Sequence, residues 1–145
     1  MQPDNLTLLR LLHQCAHRLS ASEKYRGQGR LLILLQEHGP MTQRQLTELT
    51  DRRPATLSEQ LEKMERTGYL TRVKNEQDRR NIDLALTPSG YGAALEAKAD
   101  WERRAQVFDR LSPEEKEQLV RILEHLLAVC QADGKPGEKE AGPCG

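Results

Sequence analysis

Aromatic side chains are scarce. Phe108, Trp101 and three tyrosines serve 145 residues. That is a poor endowment for a self-sufficient core, so leucine and alanine must fill it, which favours helices. A leucine-rich, aromatic-poor helical chain often completes its core by dimerising. Long apolar runs are missing too. None approaches the roughly 18 to 20 residues that span a bilayer, which excludes a membrane protein. No basic–apolar–small signal stands at the N terminus, so secretion is not expected. Cysteine is limited to Cys15, Cys130 and Cys144, far apart and odd in number. Such a set is neither a disulfide framework nor a CxxC metal site, and it suits a reducing cytoplasm. Catalytic signatures are lacking as well. The chain contains no GxGxxG, no GxxxxGK followed by Ser or Thr, no GxSxG and no HExxH. Neither an enzyme nor a cofactor is expected.

Net charge is also absent, with 22 basic and 22 acidic residues. The balance is uneven along the chain. Residues 1–80 hold 14 Lys and Arg against 10 Asp and Glu, and residues 81–145 hold 8 against 12. The first part can face a polyanion while the second faces water or a partner chain. A four-charge imbalance also arises by chance, so charge alone decides nothing.

The pattern along the chain is more informative. Within residues 4–21, Leu8, Leu12, Cys15 and Leu19 form one apolar helix face. Residues 25–29 break it, and residues 30–38 read as a short buried helix stopped by Gly39-Pro40. Thr42 is an N-cap whose spacing to Gln45 fits a capping box, and Leu46 and Leu49 are expected to face inward. A turn over Thr50–Arg53 leads to Pro54, which suits the first turn of a new helix. That helix places Leu57, Leu61 and Met64 on one face and ends at Gly68. Two short helices joined by a tight turn form a helix-turn-helix.

After Gly68 the period changes from about 3.6 to 2. Residues 69–73 alternate, residues 74–80 are polar and charged, and residues 81–86 alternate again with Ile82, Leu84 and Leu86 on one face. This is a β-hairpin with a long charged tip, and with the preceding helices it makes a winged helix. Thr87-Pro88-Ser89-Gly90 starts an alanine-rich helix expected to reach about Asp109. Ser112 caps another, with Pro113 at its first position and a stripe of Leu119, Ile122, Leu123, Leu126, Leu127 and Cys130. From Gln131 the chain is Gly, Pro and charge and is expected to be disordered.

The span from about residue 6 to 130 resembles the MarR family of bacterial transcriptional regulators. RLLILLQEHGPMTQRQLTELT resembles the family's first winged-helix segment, and RRPATLSEQLEKMERTGYLTR its recognition helix. DRRNIDLALTPSG resembles the wing, the most specific element, and FDRLSPEEKEQLVRILEHL the final helix. The fold implied is mainly α with a small β-hairpin wing (α+β). Residues 30–87 form the winged helix-turn-helix, residues 1–29 and 88–130 the dimerisation region, and residues 131–145 a tail. The resemblance implies an obligate homodimer reading a pseudo-palindrome in double-stranded DNA, most often as a repressor.

The resemblance also implies that the recognition helix enters the major groove N-terminus first. The outward candidates are Pro54, Ala55, Thr56, Ser58, Glu59, Gln60 and Lys63, with Arg52 and Arg53 at the turn where phosphates pass. Thr56 and Ser58 can donate to phosphates or base edges, and Gln60 can bridge adenine. Glu59 stands where relatives often carry a basic residue. Either it accepts from cytosine, or it pairs with Lys63 at i,i+4, the reading favoured here. In the wing, Asp78 resembles the residue that orients the tip and Arg80 the arginine that enters the minor groove. Arg79 then meets the backbone, though the two arginines can exchange roles. A plain solvated face is the bland alternative for both elements. A winged helix serving as a protein-interaction adaptor is the rival reading from another class.

The resemblance further implies an effector pocket for a phenolic or other small aromatic ligand, between the dimer helices and the winged helix. Some relatives instead sense oxidants with a cysteine near the start of the first helix, activated by tyrosines. Cys15 is similarly placed, with only Tyr25 nearby in sequence; the competing expectation is that Cys15 packs as a small hydrophobe. His13 and His17 sit at i,i+4, and His38 or His125 can approach them in a fold, but a solvated face accounts for them better than a metal site. Cys144 is assigned no role.

Overall fold

The computed structural model describes residues 2–20 and 23–133. They fall into two compact units, one ending at Arg104 and the other beginning at Ala105. In the first unit, α1 (Asn5–Arg18) is started by Asp4, whose carboxylate accepts from the Thr7 amide at 2.7 Å. That hydrogen bond is the main reason the Asp4 pKa lies below the usual carboxylate value. No residue of α1 is buried, and Leu6, Leu8, Leu9, Leu11 and Leu12 are all exposed. Cys15 is exposed as well, so it does not pack as a buried hydrophobe within the chain.

A 3-10 turn (Glu23–Tyr25) leads to α2 (Gly29–His38), which buries Leu31, Leu32 and Leu35. Gly39, with φ 78°, ends that helix and donates its amide to the Leu35 carbonyl. Next come β1 (Met41–Thr42) and α3 (Gln43–Leu49). The expected capping box is present: the Gln45 amide donates to Thr42 Oγ1 at 3.1 Å, and the Thr42 amide to Gln45 Oε1 at 2.9 Å. Leu46 is fully buried, but Leu49, expected to face inward, is 43% exposed. A seven-residue helix has room for little more than one inward turn, and Leu49 ends it.

α4 (Pro54–Thr67) has Pro54 at its start and buries Leu57, Leu61 and Met64. It stops at Gly68, whose φ of 89° lies in the left-handed region that glycine adopts without a Cβ penalty. The Gly68 and Tyr69 amides then donate to the Glu65 and Met64 carbonyls. β2 (Leu70–Lys74) and β3 (Ile82–Leu86) form the wing. All pairing is antiparallel and the sheet order is β1-β3-β2, with both Met41 and Arg72 opposite Leu84. Leu84 is buried, while Ile82 and Leu86 pack partly buried on the core. The edge strand β1 was not anticipated, because two residues show no alternation.

α5 (Pro88–Ala105) begins where the Thr87 hydroxyl accepts from the Gly90 amide at 3.0 Å. Small residues bring it onto the core: Ala93, Ala94 and Ala97 are buried in the same cluster as Leu31, Leu57 and Leu84. In the second unit, a 3-10 segment (Gln106–Arg110) replaces the last turns of the longer helix expected to reach Asp109. α6 (Pro113–Asp133) opens on a second reciprocal cap between Ser112 and Glu115. It runs two residues past the expected start of the tail at Gln131. None of its residues is buried, and Val120, Ile122, Leu126 and Leu127 are exposed. The remainder of the tail, with Cys144, lies outside the described residues.

Gly90 is the tightest position. A Cβ there would meet the Tyr69 carbonyl oxygen at 1.9 Å, a backbone atom with no room to yield. Gly90→Ala is therefore expected to destabilise the fold by about 3 kcal/mol or more. Thr42→Ala, which removes only the cap, should cost about 1 kcal/mol. Urea unfolding of the two variants checks both values and their order.

Candidate functional site

Around the rim of α4, the inner face defines the outer one. Pro54, Ala55, Thr56, Glu59 and Lys63 are exposed, and Ser58 is half-exposed. Arg53 sits at the helix start and is exposed. These expected contact residues share one accessible surface. Two members of the expected set stand elsewhere. Gln60 flanks the buried row and lies against Gly27, where an added Cβ would fall 2.9 Å from its Nε2. Arg52 is half-buried, and its guanidinium donates to the Gly27 carbonyl. Both therefore hold the segment between α1 and α2 in this structure.

Glu59 is also differently placed from expectation. No ion pair joins it to Lys63; the i,i+4 pair among the described residues of the helix-turn-helix is Arg44–Glu48, at 3.8 Å. Pairs of exposed long side chains gain little over water, so helical spacing alone does not bring them together. α4 instead ties to the sheet through Arg72, which bonds Glu65 at 3.2 Å.

At the wing tip, Asn75 Oδ1 accepts from the Gln77 and Asp78 amides at 2.9 and 3.0 Å. Asp78 Oδ1 in turn accepts from the Arg80 amide at 3.1 Å and from its Nε at 3.2 Å. The carboxylate thus fixes both backbone and side chain of Arg80, whose side chain is 92% exposed. Arg79 is exposed beside it. Asn75 Nδ2 donates to Asp83 at 3.2 Å, which anchors the tip to β3. A hydrogen-bonded tip carrying an exposed guanidinium has the charge to enter a narrow minor groove.

A second feature was not legible in the sequence. A cavity of about 190 Å³ lies in the first unit, lined by Tyr25, Arg30, Arg52, Trp101 and Arg104 among others. Tyr25 is buried, and its hydroxyl donates to Glu96 Oε2 at 2.6 Å; Lys24 reaches the same carboxylate at 3.2 Å. Burial is the main reason the Tyr25 pKa is raised, whereas the tyrosine hydrogen bond is the main reason that of Glu96 is lowered. Tyr25 is thereby committed to Glu96, and among the described residues no tyrosine hydroxyl bonds Cys15. His13 and His17 line an open groove on α1 with Gln14 and Arg18. Among the described residues no group of three or more His, Cys, Asp or Glu side chains is placed to hold a metal.

A model of the MarR family matches residues 24–82, the core of this winged helix. The uncharacterised HTH-type transcriptional regulator YwhA of Bacillus subtilis is 30% identical over 102 residues, covering 68% of this chain and 71% of YwhA. The chain belongs to the MarR family. The HTH-type transcriptional regulator SarZ of Staphylococcus haemolyticus is 36% identical over 73 residues, or 50% of this chain and 49% of SarZ. The chain thus spans about half the length of SarZ. A crystal structure of the PcaV transcriptional regulator from Streptomyces coelicolor with its natural ligand has the same fold. Its TM-score is 0.78 at 24% identity, over 90% of this chain and 99% of PcaV. No helix among the described residues is long and apolar enough to cross a membrane.

The MarR-type wing makes a direct prediction. Arg80→Ala should weaken binding to a specific duplex by about tenfold or more, with the oligomeric state unchanged. Fluorescence anisotropy and gel filtration check the two halves, and unaltered duplex affinity would remove Arg80 from the interface.

Proposed function

We propose that two copies of this chain form a DNA-binding transcriptional regulator that reads a pseudo-palindromic site in double-stranded DNA. The observation that carries the reading is the hydrogen-bonded wing tip, where Asp78 bonds an exposed Arg80, together with the exposed face of α4. Thr56, Ser58, Glu59 and Lys63 read the major groove, Arg53 and Arg79 meet phosphates, and Arg80 enters the minor groove. The apolar rows left exposed on α1 and on α6 supply the dimer contacts. The protein works in the cytoplasm as a repressor, without catalytic activity. Its DNA affinity falls when a small aromatic ligand occupies the cavity at Trp101. PcaV, a regulator of the same fold solved with its natural ligand, supports a ligand-released mechanism. Cys15, exposed but without a tyrosine partner, supports oxidant sensing less well.

The unpaired Glu59 gives the adaptor reading its one specific support, since a carboxylate on the outer face of α4 repels phosphate. Salt separates the two readings. A dimer that neutralises about six phosphates loses roughly a thousandfold in affinity between 50 and 200 mM salt. Anisotropy titrations of the DNA upstream of the chain's own gene, against a scrambled duplex, should show that slope together with sequence preference. A flat salt series with equal affinity for both duplexes favours the adaptor.

A further inference from the structure

We propose that Asn75 is the positioning residue of the wing: it holds Asp78, and through Asp78 it presents the Arg80 guanidinium to the minor groove in one orientation. This rests on Arg80 being the wing contact of a DNA-binding regulator. Asp78 bonds Arg80, but Asp78 itself stands in a stretch that is polar and largely exposed. One side chain ties that stretch to the sheet. Asn75 Oδ1 accepts from the Gln77 and Asp78 amides at 2.9 and 3.0 Å, and its Nδ2 donates to the two Asp83 oxygens at 3.3 and 3.2 Å. The Asn75 amide donates to the Asn81 carbonyl, and the Asn81 amide to the Asp78 carbonyl, each at 2.9 Å. Asp83 lies in the central strand β3, opposite Thr42 of β1 and Val73 of β2. A hydrogen-bonded line therefore runs from the middle of the sheet to Arg80 through Asp83, Asn75 and Asp78.

The residue type is the one this position demands. Holding two backbone amides needs an acceptor, and meeting the Asp83 carboxylate needs a donor. The asparagine side chain carries both on one short arm. Aspartate would keep the acceptor, lose the donor and set two carboxylates against each other. Alanine would lose both. A guanidinium on an unordered loop has to be ordered when it binds, and that cost comes off both affinity and preference for one groove width. A tip ordered beforehand avoids it. The strands pair in register down to Leu70 and Leu86 at the base of the hairpin, without help from residue 75. A change at Asn75 therefore alters how Arg80 is presented and leaves the sheet in place.

The probe is a duplex that the wild-type protein selects from a random-sequence pool, with affinity read by anisotropy. Asn75→Ala should bind it about fivefold more weakly, with melting and oligomeric state unchanged. That loss should vanish once Arg80 is gone: Asn75→Ala combined with Arg80→Ala should match Arg80→Ala alone within about twofold. Pool selection with Asn75→Ala should lose preference at the same base pairs as selection with Arg80→Ala. Asn75→Asp should cost about tenfold, and adding Asp83→Asn should restore affinity to within about twofold of the wild type, because donor and acceptor are merely exchanged. The exchange pair keeps the net charge of the wing, so it also decides the matter if Asn75→Ala fails to fold. Unaltered affinity of Asn75→Ala, a loss that adds to that of Arg80→Ala, or an exchange pair no better than Asn75→Asp would overturn the proposal. Full affinity in Arg80→Ala removes the wing contact and the proposal with it. A wild type that selects no duplex counts against the regulator reading itself.

Discussion

The carbonyl groups of Gly68 and Tyr69 are where the winged helix is tied together. The Thr87 hydroxyl donates to the first at 2.5 Å, and the Thr87 amide to the second at 3.0 Å. Gly90 then passes so close to the Tyr69 oxygen that no side chain fits. At this one place the end of α4, the start of β2, the end of β3 and the start of α5 meet. The wing register, Leu70 opposite Leu86, is thus set at the base of the hairpin and not at its tip. Residues 74–80 carry no core duty as a result. They can be charged, exposed and selected for what they touch.

Side-chain size along α5 then determines where the molecule is solid and where it is hollow. Gly90, Ala93, Ala94 and Ala97 let the first half of the helix lie close on the core, with Ala97 near Gly29. Beyond Ala97 the larger Asp100, Trp101 and Arg104 follow, and they line the cavity together with Tyr25, Gly27 and Arg52. Close packing leaves few voids larger than a water molecule. The pocket at Trp101 is by contrast open to the surface, with the Trp101 side chain 46% exposed, so it is a cleft beside the leucine core and not a void within it.

Much of this was legible in the sequence because it rests on local periodicity and capping. The rows Leu57-Leu61-Met64 and Leu31-Leu35, the Thr42–Gln45 box and the stop at Gly68 each need only a few neighbouring residues. The failures have the opposite origin. Gln60 has the residue type of a base-reading side chain, but its angle on α4 places it beside the buried row, against Gly27. Leu49 follows Leu46 at helical spacing, yet the helix ends with it. Arg52 looks like a phosphate contact by position, whereas its bond partner lies 25 residues earlier. The cavity draws on residues from Tyr25 to Arg104, and no local pattern marks it.

The absence of net charge now has a structural explanation. Many carboxylates are taken by cations within the fold: Glu65 by Arg72, Asp100 by Arg103 and Arg104, Glu96 by Lys24, Glu37 by Lys98. Such exposed or half-exposed pairs add little stability. Their effect is on the distribution of charge, which leaves Lys63, Arg79 and Arg80 exposed around α4 and the wing. A strongly basic protein would bind any duplex through its phosphates. With total charge near zero, nonspecific attraction to a duplex is expected to be small, and under the proposed reading the exposed Glu59 adds a local penalty wherever it meets no donor. On that reading, discrimination between sites would come from rejecting the wrong sequence as much as from holding the right one.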